Sequence, residues 1–282
     1  MAISDIAYYP GCTLKSTGRP LETGFLLMLD ALGISIPELQ RWNCCGTVFS
    51  LAEDSIIHHI AAIRNLIRAK QMNRSAIVAP CSICSNTTKQ VIAFLTQHPD
   101  LRERVDNFLD DEDIRFDFDV RALDLIEFLR DEVGYDAITA KVRPLSDLRV
   151  GVYYGCLHSR PRLVATVPTE CPNDIEDLLR KIGVEVVDFA LKTDCCGSYL
   201  RVKDQSVPKE RVERIVRSAT ANNAQIILTL CPLCHHNLDT LQNTLPVLYL
   251  PQLLAIALGV EPQKLLLERH TVDPRPVLSA LV

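Results

Sequence analysis

One cysteine pattern, written twice, constrains this chain more than any other feature of its sequence. Each copy has a single cysteine, then two adjacent cysteines followed by glycine, then a C-x-x-C pair. Chance does not produce ten cysteines in matching order, so we infer a duplicated unit of about 140 residues. The first copy consists of Cys12, Cys44, Cys45, Cys81 and Cys84, and the second of Cys156, Cys195, Cys196, Cys231 and Cys234.

The residues around the cysteines repeat as well. The first copy contains IAYYPGC and AIVAPCSIC, and the second contains VGVYYGC and IILTLCPLC at the corresponding places. We therefore predict two domains, 1–145 and 146–282, that meet in the turn Lys141–Asp147. An insert after the first cysteine of the second copy carries Cys171, which lies outside the pattern and is expected to be a free loop cysteine.

Composition excludes several classes of protein. The chain has 282 residues, 48% of them hydrophobic and 23% charged, which is typical of a folded protein with a sizeable core. A net charge of −5 argues against nucleic-acid binding. The chain shows no secretory signal and no apolar run of about 20 residues, so we expect a soluble cytoplasmic protein without a transmembrane segment. Eleven cysteines in such a protein indicate metal or redox chemistry rather than structural disulfides.

Apolar patterning predicts an α/β fold. DIAYYPG, ISIPEL and SAIVAP predict strands in the first copy, and LRVGVYYG, VEVVDF and AQIILTL predict the matching strands in the second. Helical spacing separates them, so each of two pseudo-symmetric domains should be a mainly parallel sheet flanked by helices. The last residues, LERHTVDPRPVLSALV, contain two prolines and no regular period, and we expect a C-terminal tail there.

This fold predicts where the sulfurs lie. Cys12, Cys81, Cys156 and Cys231 each directly follow a predicted strand, and the adjacent pairs follow short strands after a brief loop. Ligands in parallel sheets collect where strands end and helices begin. We therefore expect each half to bring its five thiols to one edge of its sheet.

Five thiols exceed what a simple metal site needs. Zinc and regular iron–sulfur clusters take four protein ligands. Neighbouring Cα atoms are about 3.8 Å apart, whereas relaxed disulfides prefer about 5.5–6 Å, so each adjacent pair is better suited to a metal than to a disulfide. Gly46 and Gly197 would allow a sharp turn beside the metal. Alternatives are a zinc site with one idle cysteine in each half, or thioredoxin-like C-x-x-C pairs that leave the other six cysteines unexplained.

The whole pattern resembles the cysteine-rich CCG domain, and two copies in one chain resemble the B subunit of heterodisulfide reductase. The resemblance runs from Ile6 to about Gly259 and includes all ten cysteines. It implies one noncubane [4Fe–4S] cluster in each domain, with a disulfide substrate between the two clusters. The ligands implied are Cys12, Cys44, Cys45, Cys81 and Cys84 for one cluster, and Cys156, Cys195, Cys196, Cys231 and Cys234 for the other.

The same resemblance implies a reaction and partners. A small ferredoxin-like C subunit and a flavin-containing A subunit would deliver electrons, and the chain itself has no nucleotide-binding glycine motif. A mixed disulfide such as that of coenzyme M and coenzyme B would be cleaved to two thiols by one-electron steps, with thiolates captured on iron and then protonated.

Two further interpretations come from the sequence. His158 stands where the first copy has Leu14, and histidine titrates near neutral pH, so His158 is the candidate catalytic proton donor, the alternative being a capping residue. CCG domains also occur in complexes acting with succinate or fumarate, lactate, glycolate or glycerol-3-phosphate. The alternative function is thus an electron-transfer subunit without a disulfide substrate; a zinc-binding structural module is a third.

Overall fold

The computed structural model of the chain describes residues 3–46, 56–110 and 119–279. Its first half contains a sheet of three parallel strands, which are β1 (Ile6–Tyr8), β2 (Ala76–Val78) and β3 (Arg121–Leu123), in the order β1-β2-β3. Every residue of β1 and β2 is buried. Because neighbouring residues of a strand point to opposite faces, both faces of this sheet are covered.

The second half contains a sheet of four parallel strands. They are β4 (Arg149–Tyr153), β5 (Glu185–Val187), β6 (Ile226–Thr229) and β7 (Val247–Tyr249), in the order β5-β4-β6-β7. The repeated halves with parallel sheets and flanking helices confirm the predicted fold class. The predicted domain boundary at residue 145 stays a prediction.

Helices fill the connections between the strands. In chain order they are α1 (Gly11–Leu14), α2 (Arg19–Leu32), α3 (Ile56–Gln71), α4 (Ser82–Gln97), α5 (Pro99–Leu109), α6 (Leu125–Glu127), α7 (Tyr135–Thr139), α8 (Asp174–Lys181), α9 (Ser206–Ala221), α10 (Pro232–Thr240), α11 (Leu250–Ala257) and α12 (Arg275–Leu278). A π-helical turn follows α6, at Phe128–Val133. Within the described ranges, none of these helices combines the length and the apolar character needed to cross a bilayer.

The strand predicted for ISIPEL is only partly formed. Residues 34–39 run beside β1, but their pairing is limited to one bridge between Tyr8 and Glu38. The Tyr8 amide donates to the Pro37 carbonyl (2.8 Å), and the Leu39 amide donates to the Tyr8 carbonyl (2.7 Å). Proline has no N–H group to extend such a ladder. The matching segment of the second half has no proline and forms β5.

The two halves exchange helix contacts. Helix α2 of the first half packs against α11 of the second. The approach is close at Gly24, where an added Cβ would lie 2.8 Å from Cγ of Gln252 and 2.9 Å from its backbone nitrogen. In the other direction, Arg130 of the first half pairs with Asp174 at the start of α8 (2.5 Å). Each half therefore completes the packing of the other.

The C-terminal segment is packed rather than free. Short 3-10 turns at Pro262–Lys264 and Leu267–Arg269 precede α12. Leu265 and Leu278 are buried. The Asp239 carboxylate accepts hydrogen bonds from the Thr271 amide (2.8 Å) and the Val272 amide. The described part of the predicted C-terminal tail is therefore packed, with Leu267 and Leu278 buried in the core.

The contact at Gly24 makes a stability prediction. Gly24→Val should lower the free energy of unfolding by roughly 2 kcal/mol, because the new side chain overlaps the Gln252 backbone. Leu26→Val on the same helix is the control. Because Leu26 is 41% exposed, this substitution should lower the free energy of unfolding by only about 0.5 kcal/mol. Urea unfolding under anaerobic conditions measures both. Equal losses for the two variants would contradict close packing between α2 and α11.

Candidate functional site

The five cysteines of the first half come together where β1 and β2 end. Cys12 lies in α1, directly after β1, and its sulfur is 3.7 Å from that of Cys44. Cys81 is the N-cap of α4, and Cys84 lies in the first turn of this helix. The Cys84 side chain is within hydrogen-bonding reach of both Cys45 and Cys81. The expected convergence of five thiols at one sheet edge is therefore present in this half.

The five cysteines of the second half repeat this arrangement after β4 and β6. Cys156 is hydrogen-bonded to Cys195, as Cys12 approaches the first of the adjacent pair in the other half. Cys231 is the N-cap of α10. Cys234 is hydrogen-bonded to Cys196 and Cys231. Cys171, the cysteine outside the pattern, is exposed and lies apart from the candidate site.

Two thiols of the second half have lowered pKa values, which favour the thiolate form. Hydrogen bonding from Cys156 lowers the pKa of Cys195 to about 6, with help from the Gly197 amide, whose nitrogen is 3.4 Å from the sulfur. Hydrogen bonding from Cys234 likewise lowers the pKa of Cys231 to about 6. Hydrogen bonding to Cys195 raises the pKa of Cys156, and hydrogen bonding to Cys196 and then to Cys231 raises the pKa of Cys234. Thiolate is the form that binds metals.

The backbone passes directly against one buried sulfur in each half. Gly11 has φ of +66°, and a Cβ there would lie 2.7 Å from the Cys84 sulfur. Gly155 has φ of +65°, and a Cβ there would lie 3.0 Å from the Cys234 sulfur. Only glycine leaves room for both the conformation and the contact. Each of these glycines immediately precedes the first cysteine of its set.

Tyrosines hold the loops that carry the adjacent cysteines. The Tyr9 hydroxyl donates to the Asn43 carbonyl (2.7 Å), and the Tyr153 hydroxyl donates to the Asp194 carbonyl (2.5 Å). These carbonyls immediately precede the two adjacent pairs. Burial and then the neighbouring sulfurs raise the pKa of both phenols, so they stay neutral donors. The glycines after the pairs, Gly46 and Gly197, have positive φ, as the sequence predicted.

The two cysteine sets meet at their C-x-x-C ends. Tyr249, at the end of β7, is buried, and its pKa is raised first by burial and then by the sulfurs of Cys231 and Cys81. These two cysteines belong to different halves. A cavity of about 10 Å³, room for about one water molecule, lies beside the second set. Ser82 and Ile83 of the first half form part of its wall, opposite the cysteines of the second half.

The donor set fits an iron–sulfur cluster. All-thiolate sites suit iron–sulfur clusters and structural zinc. In the described ranges, no group of three or more histidine, cysteine or carboxylate side chains is arranged to hold a single metal ion. Within each half the five sulfurs instead lie near one another as a set, which suits a cluster of several irons. The glycines pressed against Cys84 and Cys234 provide the close backbone cradle for such a group.

The structure places His158 at the interface between the halves. Its side chain is 1% exposed, and Nδ1 lies 3.5 Å from the Asp124 carboxylate. Lys89 also pairs with Asp124 (3.0 Å), and Thr166 hydrogen-bonds to it. Burial alone would raise the pKa of Asp124, but His158 and Lys89 hold it low. His158 is not part of the cavity wall, and its predicted role as proton donor stays a prediction.

Sequence reasoning missed the residues that join the two sets. Ser82, Tyr249 and Asp124 have no motif of their own, and each acts across the boundary between halves. Asn86 was also missed; its side-chain amide donates to the carbonyls of Leu157 (2.8 Å) and of Arg160. The available signal was position alone, since Ser82 lies inside the first C-x-x-C pair and Asn86 lies two residues after it.

Comparison with known proteins agrees with the repeat. The family described as "CCG: Cysteine-rich domain" matches residues 6–89 and 150–239. A protein named "8-methylmenaquinol:fumarate reductase membrane anchor subunit", from Wolinella succinogenes, is 28% identical over 95% of this chain and 97% of its own length. The B subunit of the ferredoxin/F420H2-dependent CoB-CoM heterodisulfide reductase of Methanosarcina acetivorans is 25% identical over 96% of this chain and 95% of its own length.

A solved structure shares the fold. The crystal structure of a hypothetical protein from Helicobacter pylori superposes with a TM-score of 0.76 at 15% sequence identity. The superposition covers 95% of this chain and 52% of that one, so this chain spans about half the length of that protein. At this identity the likeness concerns the fold alone.

The cradle at Gly155 makes a prediction about the bound metal. Gly155→Ala should lose the iron of the second half and keep that of the first, because the methyl group would displace the Cys234 sulfur. Gly134→Ala is the control, since Gly134 also has positive φ (+81°) but an added Cβ there would meet nothing within 4 Å. Iron analysis after anaerobic reconstitution measures both variants. Full iron content in Gly155→Ala would show that the close approach is not needed.

Proposed function

Because this chain belongs to the CCG cysteine-rich domain family in both of its halves, we propose that it is the iron–sulfur catalytic subunit of a heterodisulfide reductase-like complex. Each half would hold one noncubane [4Fe–4S] cluster, and the protein would reduce a disulfide substrate to two thiols. The main support for this proposal is that Ser82 and Ile83, which lie between Cys81 and Cys84 of the first half, line one cavity with Cys231 and Cys234 of the second.

Ten cysteines would hold the clusters. Their sulfurs are within reach of one another inside each half, and most are buried or half-buried, so water is largely excluded from the donor set. The proposed ligands are Cys12, Cys44, Cys45, Cys81 and Cys84 in the first half, and Cys156, Cys195, Cys196, Cys231 and Cys234 in the second.

Two neighbouring redox centres suit the reduction of a disulfide. Cleavage of an S–S bond to two thiols takes two electrons and two protons. When bound, iron–sulfur clusters supply electrons one at a time. A single one-electron centre would leave a sulfur radical after the first step. This chain's contribution is to hold the two sets on opposite sides of one interface, with Ser82 and Tyr249 between them, so that both electrons are available at one place.

An electron-transfer role is the second candidate, and the similarity to a named reductase subunit favours it. The relative that is 28% identical carries the name of a fumarate reductase subunit. In this role the clusters would relay electrons to another subunit, and no disulfide would bind.

Both roles require partners and a reducing environment. We propose a small ferredoxin-like subunit and a flavin-containing subunit as electron donors, because the sequence contains no nucleotide-binding glycine motif of its own. The relatives in the comparison are themselves named as subunits of reductases. A cytoplasmic location belongs to the same proposal, because eleven cysteines that form no disulfide persist in a reducing compartment.

Substitution of one C-x-x-C cysteine in each half tests the proposal. Cys81→Ser and Cys231→Ser should each lower the rate of disulfide reduction by about tenfold or more with reduced viologen as donor, because each removes a ligand of one cluster. Cys171→Ser is the matched control, since Cys171 is exposed and outside the site, and it should keep full activity. Circular dichroism checks that the fold is retained. Undiminished activity in a variant that has lost its cluster would contradict the mechanism.

The EPR spectrum separates the two candidate roles. If the site binds substrate directly, addition of a thiol product to the oxidised wild-type protein should change the cluster signal. If the clusters only relay electrons, the signal should be the same with and without thiol, and viologen should not drive disulfide reduction even with both clusters intact.

A further inference from the structure

One hydroxyl group crosses from the first half into the site of the second. Ser82 is the first residue of α4, a helix of 16 residues, and its side chain is 1% exposed. Its Oγ has no hydrogen-bond partner of normal geometry among the described residues. The same residue forms part of the wall of the small cavity, whose other walls include Cys231 and Cys234 of the second half.

The sulfur that this hydroxyl faces is Cys231. Ser82 and Cys231 line the same cavity, and the Ser82 side chain lies within hydrogen-bonding reach of the Cys231 sulfur. A buried hydroxyl directed at a thiolate is therefore available as a donor that is not used elsewhere. A buried donor without a partner is costly, so its position calls for an acceptor.

The second half has no equivalent of this donor. The duplication aligns Ser82 with Pro232, since each follows the first cysteine of its C-x-x-C pair. Proline has neither a hydroxyl nor an N–H group. Otherwise the two positions are alike, because Cys81 and Cys231 are both helix N-caps. At this position the duplicated halves thus differ in a hydrogen-bond donor aimed at a sulfur of the opposite half.

We propose that Ser82 donates a hydrogen bond across the interface to the Cys231 sulfur and so makes the cluster of the second half the easier of the two to reduce. This inference rests on the proposed function, since it needs both clusters. A donor to a ligating sulfur stabilises the extra negative charge of the reduced cluster, which raises its reduction potential. An electron entering the pair would then rest on the second half first.

Charged groups also lie near the adjacent pairs of both halves. Arg211 donates to the Cys195 carbonyl in the second half (3.3 Å), and Arg68 contacts the Asn43 side chain beside the adjacent pair of the first (2.5 Å). Arg160 adds a second cation near Cys195, since it donates to the Thr193 carbonyl (3.0 Å). Substitution of Ser82 removes the donor without changing the net charge, so it isolates the effect of the hydrogen bond.

A redox titration followed by EPR tests the inference. In Ser82→Ala, the midpoint potential of one cluster should shift downward, while that of the other stays at the wild-type value. Ser82→Thr keeps the hydroxyl and should restore the potential. Ser85→Ala is the matched control, because Ser85 lies on the same helix, is also buried, and donates to backbone carbonyls of its own helix rather than to a sulfur.

Two backgrounds that each lack one cluster identify the half that responds. In a Cys45→Ser background, which retains only the second cluster, the downward shift caused by Ser82→Ala should persist. In a Cys196→Ser background, which retains only the first cluster, it should vanish. Pro232→Ser should place a hydroxyl at the equivalent position and raise the potential of the first cluster.

Failure of the inference about Ser82 can be told apart from failure of the proposed function. If the wild-type protein binds both clusters and Ser82→Ala leaves both potentials unchanged, or shifts that of the first half, the inference is overturned and the proposed function stands. If the wild-type protein binds no iron–sulfur cluster at all, the proposed function and this inference fail together.

Discussion

The close contact between the backbone and one buried sulfur in each half is the constraint on which the rest of this structure depends. At Gly11 and Gly155 the chain leaves the first strand of its sheet with positive φ and passes against Cys84 or Cys234. That contact joins the end of one strand to the C-x-x-C helix that follows another. This contact also restricts the positions of the remaining sulfurs of each set, because each of them lies in a short segment next to a buried strand or helix.

The two halves keep the same chemistry with different residues. In the first half, buried Glu22 pairs with Lys15 (2.5 Å) and accepts a hydrogen bond from a tyrosine of β1. In the second half, buried Glu176 pairs with Lys192 (3.0 Å) and hydrogen-bonds to the tyrosine that follows β4. The lysine follows the first cysteine in one half and precedes the adjacent pair in the other. In both halves the buried carboxylate is therefore paired with a lysine, because an unpaired buried charge would be strongly destabilising.

Much of this arrangement was predictable, and the failures have local or long-range causes. The order of the cysteines and the alternation of strands and helices identified the duplication, the parallel sheets and the sheet edge where the sulfurs lie. The strand at residues 34–39 was overestimated because Pro37 removes a ladder donor. The contacts of Ser82 and of the Asp124–His158 pair could not be predicted, because they cross from one half to the other. Sequence periodicity predicts only which face of a single helix or strand is packed.

In the proposed function, each quintet of cysteines holds a cluster of iron and inorganic sulfide. Metal and acid-labile sulfide analysis of the full chain, purified without oxygen, would detect these clusters. Two four-iron clusters should give about eight iron atoms and about eight sulfide ions per chain. Two zinc ions per chain and no sulfide would contradict the proposed function.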